Sequence, residues 1–393
     1  MQVLILNSGS SSIKFQLFSM PNESIICSGQ IERIGFEDAF FKFKTGNETT
    51  ELKIAILNHR TGLNLLAEQL LDKKTGVIKS ADDISIVGHR VVHGGNHFSK
   101  TTEITNLVKE KTKALSSLAP LHNPANLEGI EVAEHIFPNA KQVAVFDTAF
   151  HQSIPEHAYR YAIPKTFSDQ HNIRLYGFHG TSHKYVSEKA IEFLGKKDSK
   201  IITIHLGNGC SMTAIKNGKS IDHSLGFSPV SGLVMGTRSG DIDPAIIFYL
   251  AKKLNYNLDE INNLLQKESG MLGLTGFSDL RDIENEAKNG NTDCQLALQI
   301  NTYRIKKYIG SYAAILNGLD AIVFTAGIGE NSELMRQMIC EDLDFLGIQL
   351  DDEKNKIKSK GINLINSSDS KVEILVIPTN EELEIAKQAF SLN

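Results

Sequence analysis

A chain of 393 residues is too long for one hydrophobic core of ordinary size, and its 41% hydrophobic content is that of a globular protein, so two domains are expected. Lys plus Arg (41) nearly balance Asp plus Glu (46), and no Lys/Arg block forms the basic footprint of a nucleic-acid or acidic-membrane binder, which favours a small-molecule partner. Cys27, Cys210, Cys294 and Cys340 are scattered without a CxxC pair, which argues against a disulfide framework or zinc site and fits a reducing cytoplasm. No run approaches the ~20 apolar residues of a membrane span, and MQVLILNSGS has no basic leader, so a soluble, unprocessed protein is expected.

In chain order, Val3 to Leu6 reads as a strand, Asn7-Ser8-Gly9-Ser10-Ser11-Ser12 as a polar turn, and Ile13 to Phe18 as the returning strand. The design recurs at Ile201 to Ile204, His205 to Ser211 and Met212 to Ile215, which suggests two related halves. Each hairpin opens a region of alternating strand and helix patterns. Strands are expected at Ile84 to Val87, Gln142 to Phe146, Ala321 to Thr325 and Val372 to Ile377. Helices are expected at Asn126 to Ile136, Ser182 to Phe193, Asp243 to Leu254 and Ala297 to Leu316. The class is α/β with mixed sheets. The pattern lapses into a loop at His151-Gln152-Ser153-Ile154-Pro155, which places domains at 1–150 and 151–381, with the terminal helix 382–393 returning to the first. The Lys-rich run Lys354 to Lys360 reads as a solvated helix face.

Two phosphate-loop motifs fail. Asn217-Gly218-Lys219-Ser220 imitates the end of a Walker A loop, but Thr213 stands where the upstream glycine is required, so an ordinary hairpin turn is expected. Ala326-Gly327-Ile328-Gly329-Glu330-Asn331-Ser332 supplies only two glycines of GxGxxG, which disfavours a nicotinamide enzyme. Small residues between a strand and a helix still let backbone amides approach an anion or a base edge, so Gly327 to Asn331 is a candidate nucleotide contact. The first turn offers oxygens of Asn7, Ser10 and Ser12, followed by Lys14, a set suited to polyphosphate and its magnesium. Arg90 and Arg238 each present a planar fork to carboxylate or phosphoryl oxygens. Asp147 follows an apolar strand and could hold a cation, orient an arginine or act as a base. Glu381 stands at a helix start, where capping is the common role.

The segments LNSGSSSIKF, GHRVVHGG, LHNPANL, VFDTAFH, YGFHGTSH, HLGNGCS, MGTRSGDIDP, TAGIGENS and IPTNEELEIA occur in the order of the acetate kinase family and span nearly the whole chain, which therefore resembles that family. The resemblance implies the duplicated, ribonuclease H-like fold shared by sugar kinases, actin and the chaperone ATPases, and a homodimer. It implies an N-terminal domain for the acid substrate and a C-terminal domain for nucleotide and dimerisation. Carried over by position, Asn7 and Glu381 would serve Mg²⁺, with Mn²⁺ as a substitute. Ser10, Ser12, Lys14, His205, Leu206, Gly207, Asn208, Gly209, Asp279, Leu280, Arg281, Gly327, Ile328, Gly329, Glu330 and Asn331 would contact ATP or ADP. Arg90 is similar to the family's substrate-binding arginine, Asp147 to its catalytic aspartate, and His179 and Arg238 to its transition-state stabilisers. His122 would contact the acid, and the apolar Val92, Leu121, Phe178 and Pro229 would box in its methyl group and limit its size.

The implied reaction is reversible in-line transfer of the ATP γ-phosphoryl group to acetate. A small carboxylic acid titrates at about pH 4–5 and attacks as an anion, so no general base is needed. The chemical difficulty is repulsion between anions, which Arg90, Arg238, His179 and Mg²⁺ would relieve. Asp147 then reads best as an organiser of metal or arginine. The competing readings are a propionate kinase and, from another class, a non-catalytic ATP-driven switch resembling actin or a chaperone.

Overall fold

The computed structural model describes residues 1–120 and 122–393. The chain forms two units, Met1–Gln152 with Asn380–Asn393, and Ser153–Thr379.

The first unit is built on strands β1 (Gln2–Ser8), β2 (Ser12–Ser19), β3 (Ser24–Glu32), β4 (Phe36–Thr45), β5 (Glu48–Ile56), β6 (Ile84–Val91), β7 (Thr102–Glu103) and β8 (Lys141–Phe146). They form one sheet in the order β5-β4-β3-β2-β1-β6-β8-β7. The β1–β2 hairpin is antiparallel, with Asn7 opposite Lys14, whereas β6 runs parallel to both β1 and β8. Strand β1 is an unbroken apolar run because both of its faces are covered. Leu4 and Leu6 pack with Leu63, Leu66, Val132 and Ala133 of the helices His59–Leu70 and Asn123–Ile136. Val3 and Ile5 pack instead with Ile385, Ala386 and Ala389 of the helix Glu381–Phe390.

The second unit contains β9 (Lys200–Leu206), β10 (Cys210–Lys216), β11 (Lys219–His223), β12 (Ala321–Thr325), β13 (Asn363–Leu364) and β14 (Glu373–Val376), in the order β11-β10-β9-β12-β14-β13. The five-strand series β11-β10-β9-β12-β14 repeats the series β3-β2-β1-β6-β8: an antiparallel meander, then two strands parallel to its first member. The suspected duplication is therefore a property of the topology. Asn217 and Gly218 both have positive φ (54° and 75°) in the turn joining β10 to β11, the geometry of a tight hairpin turn rather than a phosphate loop. The helix Thr292–Leu316 begins earlier than its apolar periodicity suggests, because the Asn291 side chain caps it by accepting from the amides of Asp293 and Cys294.

One expectation fails. The Lys354–Lys360 run is not a helix face: helix Asp352–Asn355 ends inside it, and Lys358 reaches the wall of a cavity.

Candidate active site

In the first unit the candidate residues gather at the carboxyl ends of the parallel strands β1, β6 and β8, where open α/β sheets place ligands. Asn7 lies near the end of β1, Arg90 near the end of β6, and Asp147 directly after β8, its amide donating to Val91 O (3.0 Å). Arg90 grips Asp147 along one edge. Its Nε donates to both carboxylate oxygens at 3.0 Å and its Nη2 donates to Oδ2 at 2.7 Å. Nη1, at the other edge, donates to Asn7 Oδ1 (3.4 Å) and lies 3.9 Å from Glu381 Oε2. Burial opposes the charge on Arg90, but Asp147 and Glu381 outweigh it and hold the guanidinium more firmly protonated than a free arginine. The Glu381 carboxyl is pushed up, first by burial and then by Asp147, against the pull of Arg90.

Asn7 Oδ1 and the Glu381 carboxylate therefore flank one guanidinium nitrogen. Among the described residues no cluster of three or more His, Cys, Asp or Glu could hold a metal by itself. A sparse, oxygen-only pair fits Mg²⁺, which keeps several waters and takes phosphate oxygens as further ligands. The surrounding loops are braced by the asparagines of the HNPAN segment. Asn126 donates to Ser8 O (2.6 Å) and accepts from the Val92 amide (3.0 Å), while Asn123 spans the amide and carbonyl of His93. The hairpin tip is held by His59, whose Nε2 donates to Gly9 O (2.6 Å). Ser10 and Lys14 are exposed, and His122 precedes the helix Asn123–Ile136. Leu121 lies outside the described residues.

In the second unit a cavity of about 820 Å³ opens beside the ends of β9 and β12. Of the expected nucleotide contacts, Leu206, Gly207, Asn208, Asp279, Leu280, Arg281, Gly327, Ile328 and Asn331 line it. Asp279 caps the helix Leu280–Lys288 and pairs with Arg281, whose hydrogen bonds hold its carboxyl down at about 2. β12 passes into the helix Ala326–Asn331 without a loop, and Ala326 takes the left-handed conformation (φ 64°) there, a strained state for a non-glycine residue. A Cβ on Gly236 would lie 2.0 Å from Asn208 Oδ1, so a side chain there would displace the Asn208 amide from its place in the cavity wall.

Of the contacts expected in the second unit, four are not in the cavity wall. Glu330 points elsewhere and accepts from the Thr379 amide (3.1 Å), with burial raising its carboxyl, while Gly329 sits buried against Phe324. His205 and Gly209 belong to the neighbouring histidine group. His179, also left-handed (φ 54°), precedes the helix Gly180–Leu194 and stacks on His205 with ring centroids 4.4 Å apart. A Cβ built on Gly209 would lie 3.4 Å from His179 Cε1 and 3.7 Å from Arg238 Nη1, so His179 and Arg238 converge on this glycine. Arg238 Nη1 donates to Pro229 O (3.1 Å), and burial lowers its pKa. Phe178 is buried, its amide donating to His223 Nε2 (3.1 Å).

Sequence reasoning missed the rest of the cavity wall: Val234, Met235, Met271, Ser278, Glu284, Asn301, Ser332, Met335 and Lys358. Glu284 and Ser332 share a hydrogen bond at 2.5 Å across 48 residues of chain, which no local pattern signals. Cys210 also lines the cavity, but burial pushes its thiol up to about 12, so it supplies no thiolate. Arg336 braces the wall from behind, donating to Gly329 O and Glu330 O at the end of one helix and to Asn355.

Two sheets that share a five-strand order, each with a polar tip at the carboxyl end of its first strand, define a duplicated α/β fold. The Acetokinase family model matches residues 2–387. The acetate kinase of Flavobacterium johnsoniae is 64% identical over 392 residues, covering 100% of this chain and 99% of that one. Among solved structures, Porphyromonas gingivalis acetate kinase superposes with a TM-score of 0.94 at 46% identity, covering 100% of this chain and 99% of the other. A propionate kinase from Francisella tularensis superposes at 0.93 with 44% identity, covering 99% of each chain. The chain belongs to the acetokinase family, kinases whose phosphoryl acceptor is a carboxyl group.

Proposed function

We propose that this enzyme transfers the γ-phosphoryl group of ATP to acetate, giving acetyl phosphate and ADP, and catalyses the reverse reaction. The observation that carries the reading within the site is the Arg90 guanidinium, pinned along one edge by Asp147 with its Nη1 edge left beside Asn7 and Glu381. A held fork suits the carboxylate of a small acid. Asp147 serves as the organiser of that fork: both of its oxygens are engaged by Arg90, and an acid already ionised at neutral pH needs no base.

ATP occupies the cavity bounded by Asn208, Asp279–Arg281, Gly327, Ile328 and Asn331 in this reading, and Ser10, Ser12 and Lys14 serve its phosphates. Mg²⁺ bound with ATP would neutralise charge on the phosphate oxygens, held by Asn7 and Glu381. His179 and Arg238 donate hydrogen bonds to the transferring group, and Val92, Phe178 and Pro229 limit the acid to a short chain. Incubation with MgATP and acetate, followed by hydroxylamine trapping, should yield acetate-dependent hydroxamate. Its absence overturns the assignment. Propionate is the second reading, supported by the similarity to the Francisella propionate kinase. One methylene in an apolar pocket changes discrimination by ~1–3 kcal/mol, so kcat/KM for propionate should be lower by roughly 10-fold or more, and equal values refute acetate selectivity.

The enzyme acts as a homodimer. The helix Ala245–Lys253 supports this, since none of its residues is buried although Ile246, Phe248 and Tyr249 are large and apolar. Sedimentation should give twice the 43.4 kDa chain mass, and Phe248→Glu combined with Tyr249→Lys should give the monomer. A wild-type monomer refutes it.

A further inference from the structure

Behind the face shared by His179 and Arg238 lies a buried set of histidines and hydroxyls whose pairings cross between two sequence motifs. Ser211, fully buried on β10, bridges two rings: its Oγ lies 2.9 Å from His179 Nδ1 and 2.7 Å from His183 Nε2. The other nitrogen of His183, Nδ1, lies 2.7 Å from Thr203 Oγ1 on β9, and both residues are fully buried. The second motif reciprocates, for Ser182 Oγ lies 2.9 Å from Nδ1 of His205, the ring stacked under His179. A serine hydroxyl carries one proton, so where it bridges two neutral imidazoles it donates to one and accepts from the other. The tautomers of His179 and His183 are therefore linked through Ser211.

One neighbouring polarity is fixed outright. The Phe178 amide can only donate, so His223 Nε2 carries a lone pair and its Nδ1–H donates to Thr213 Oγ1 (2.8 Å). That leaves the Thr213 proton directed away from His223, and Thr213 stands directly opposite Thr203 in the β9–β10 register. With Thr203 as the donor to His183 Nδ1, His183 Nε2–H donates to Ser211 and Ser211 donates to His179 Nδ1. The remaining His179 nitrogen, Nε2, then carries the proton, on the side where a Cβ on Gly209 would lie 3.5 Å from it and 3.7 Å from Arg238 Nη1. The opposite sense would turn a lone pair toward that face and repel the anion that Arg238 attracts.

We propose that Ser211 is a positioning residue which, through the chain Thr203–His183–Ser211–His179, fixes neutral His179 as the Nε2–H tautomer, so that His179 and Arg238 form a two-donor clamp for one anionic group. That the anion is the transferring phosphoryl group rests on the reaction proposed above; the tautomer does not. A neutral donor is the useful form here, because it adds a hydrogen bond beside a guanidinium without placing a second positive charge against it.

The test uses the full-length enzyme labelled with ¹⁵N-histidine and long-range ¹H–¹⁵N correlation spectra, with His179 assigned by loss of its signals in His179→Gln. Wild-type His179 should be the Nε2–H tautomer. Ser211→Ala should redistribute the tautomers and lower kcat by about 10- to 100-fold, with KM for acetate and MgATP within about threefold, a split that loosened folding would not produce. Thr203→Val, remote from the clamp, should shift the His179 tautomer in the same direction with a smaller loss of kcat, and Thr203→Ser should restore both. An Nδ1–H tautomer in the wild type, an unchanged tautomer in Ser211→Ala, or kcat within twofold of wild type overturns the proposal. If Ser211→Ala does not fold, the Thr203→Val and Thr203→Ser pair decides, equal behaviour of the two overturning the relay. Because the tautomer is read without turnover, failure of the hydroxamate assay would remove the reaction and not the relay.

Discussion

Arg238→Ala is expected to lower the turnover of acetyl phosphate formation by ~10³–10⁵-fold, the range of an arginine that stabilises phosphoryl transfer, with KM for MgATP nearly unchanged. At about 1.36 kcal/mol per decade this is ~4–7 kcal/mol of transition-state stabilisation. Such a value is reasonable because Arg90 and Arg238, each within its own unit, are disposed differently. Arg90 spends its Nε and Nη2 on Asp147, whereas among the described residues no carboxylate lies within 4.0 Å of Arg238. The Arg238 side chain is anchored through a neutral carbonyl, Pro229 O, and burial bears on its charge without a carboxylate to compensate. An uncompensated, half-buried guanidinium gains most when anionic charge arrives beside it. Arg238→Lys keeps the charge but loses the fork, so its turnover should fall between wild type and Arg238→Ala. Steady-state kinetics on the three proteins decide the matter, and a loss below tenfold in Arg238→Ala would remove Arg238 from the set that acts on the transferring group.

The parts of this site legible in the sequence are those that local physics dictates. Strands β1 and β9 announce themselves because burial on both faces requires unbroken apolar runs, and their polar tips stand out by contrast. The Asn217-Gly218 turn was readable because two successive positive φ angles select that pair. Pairings between distant segments were not readable. Arg90 and Asp147 are 57 residues apart, and nothing in either segment states that the aspartate belongs to the arginine rather than to a metal or a proton. The crossed pairing of Ser182 with His205 and of Ser211 with His179 and His183 likewise arises only when β9 and β10 are laid against the helix that His179 opens. The Lys354–Lys360 run is solvated as its composition suggests, with Lys356, Lys358 and Lys360 exposed, but the helix stops at Asn355 and Lys358 stands in the cavity wall, which composition does not signal.

The second large effect is expected at Asp147. Asp147→Asn should reduce turnover by about 100- to 1,000-fold and raise KM for acetate by about tenfold, while KM for MgATP stays within about threefold. Asparagine preserves the shape but loses the charge, and its amide nitrogen would confront the Arg90 donors that the carboxylate now satisfies. Freed from its clamp, the guanidinium would swing toward Glu381, 3.9 Å from Nη1, and misplacement of a binding group by ~1 Å is enough to cost ~10²-fold. Asp147 is only 1% exposed, and breaking a buried pair from one side costs ~3–5 kcal/mol, so the variant should also melt at lower temperature. Arg90→Ala with Asp147→Asn separates the two effects: if Asp147 acts through Arg90, the double variant should be little slower than Arg90→Ala alone. The pH dependence distinguishes organiser from base. Acetate is ionised throughout pH 6–9, so an organiser gives the same ratio of wild-type to variant turnover across that range. A ratio that shrinks steadily as pH rises would mark a lost base, and turnover within threefold of wild type would show that the Arg90–Asp147 clamp is dispensable.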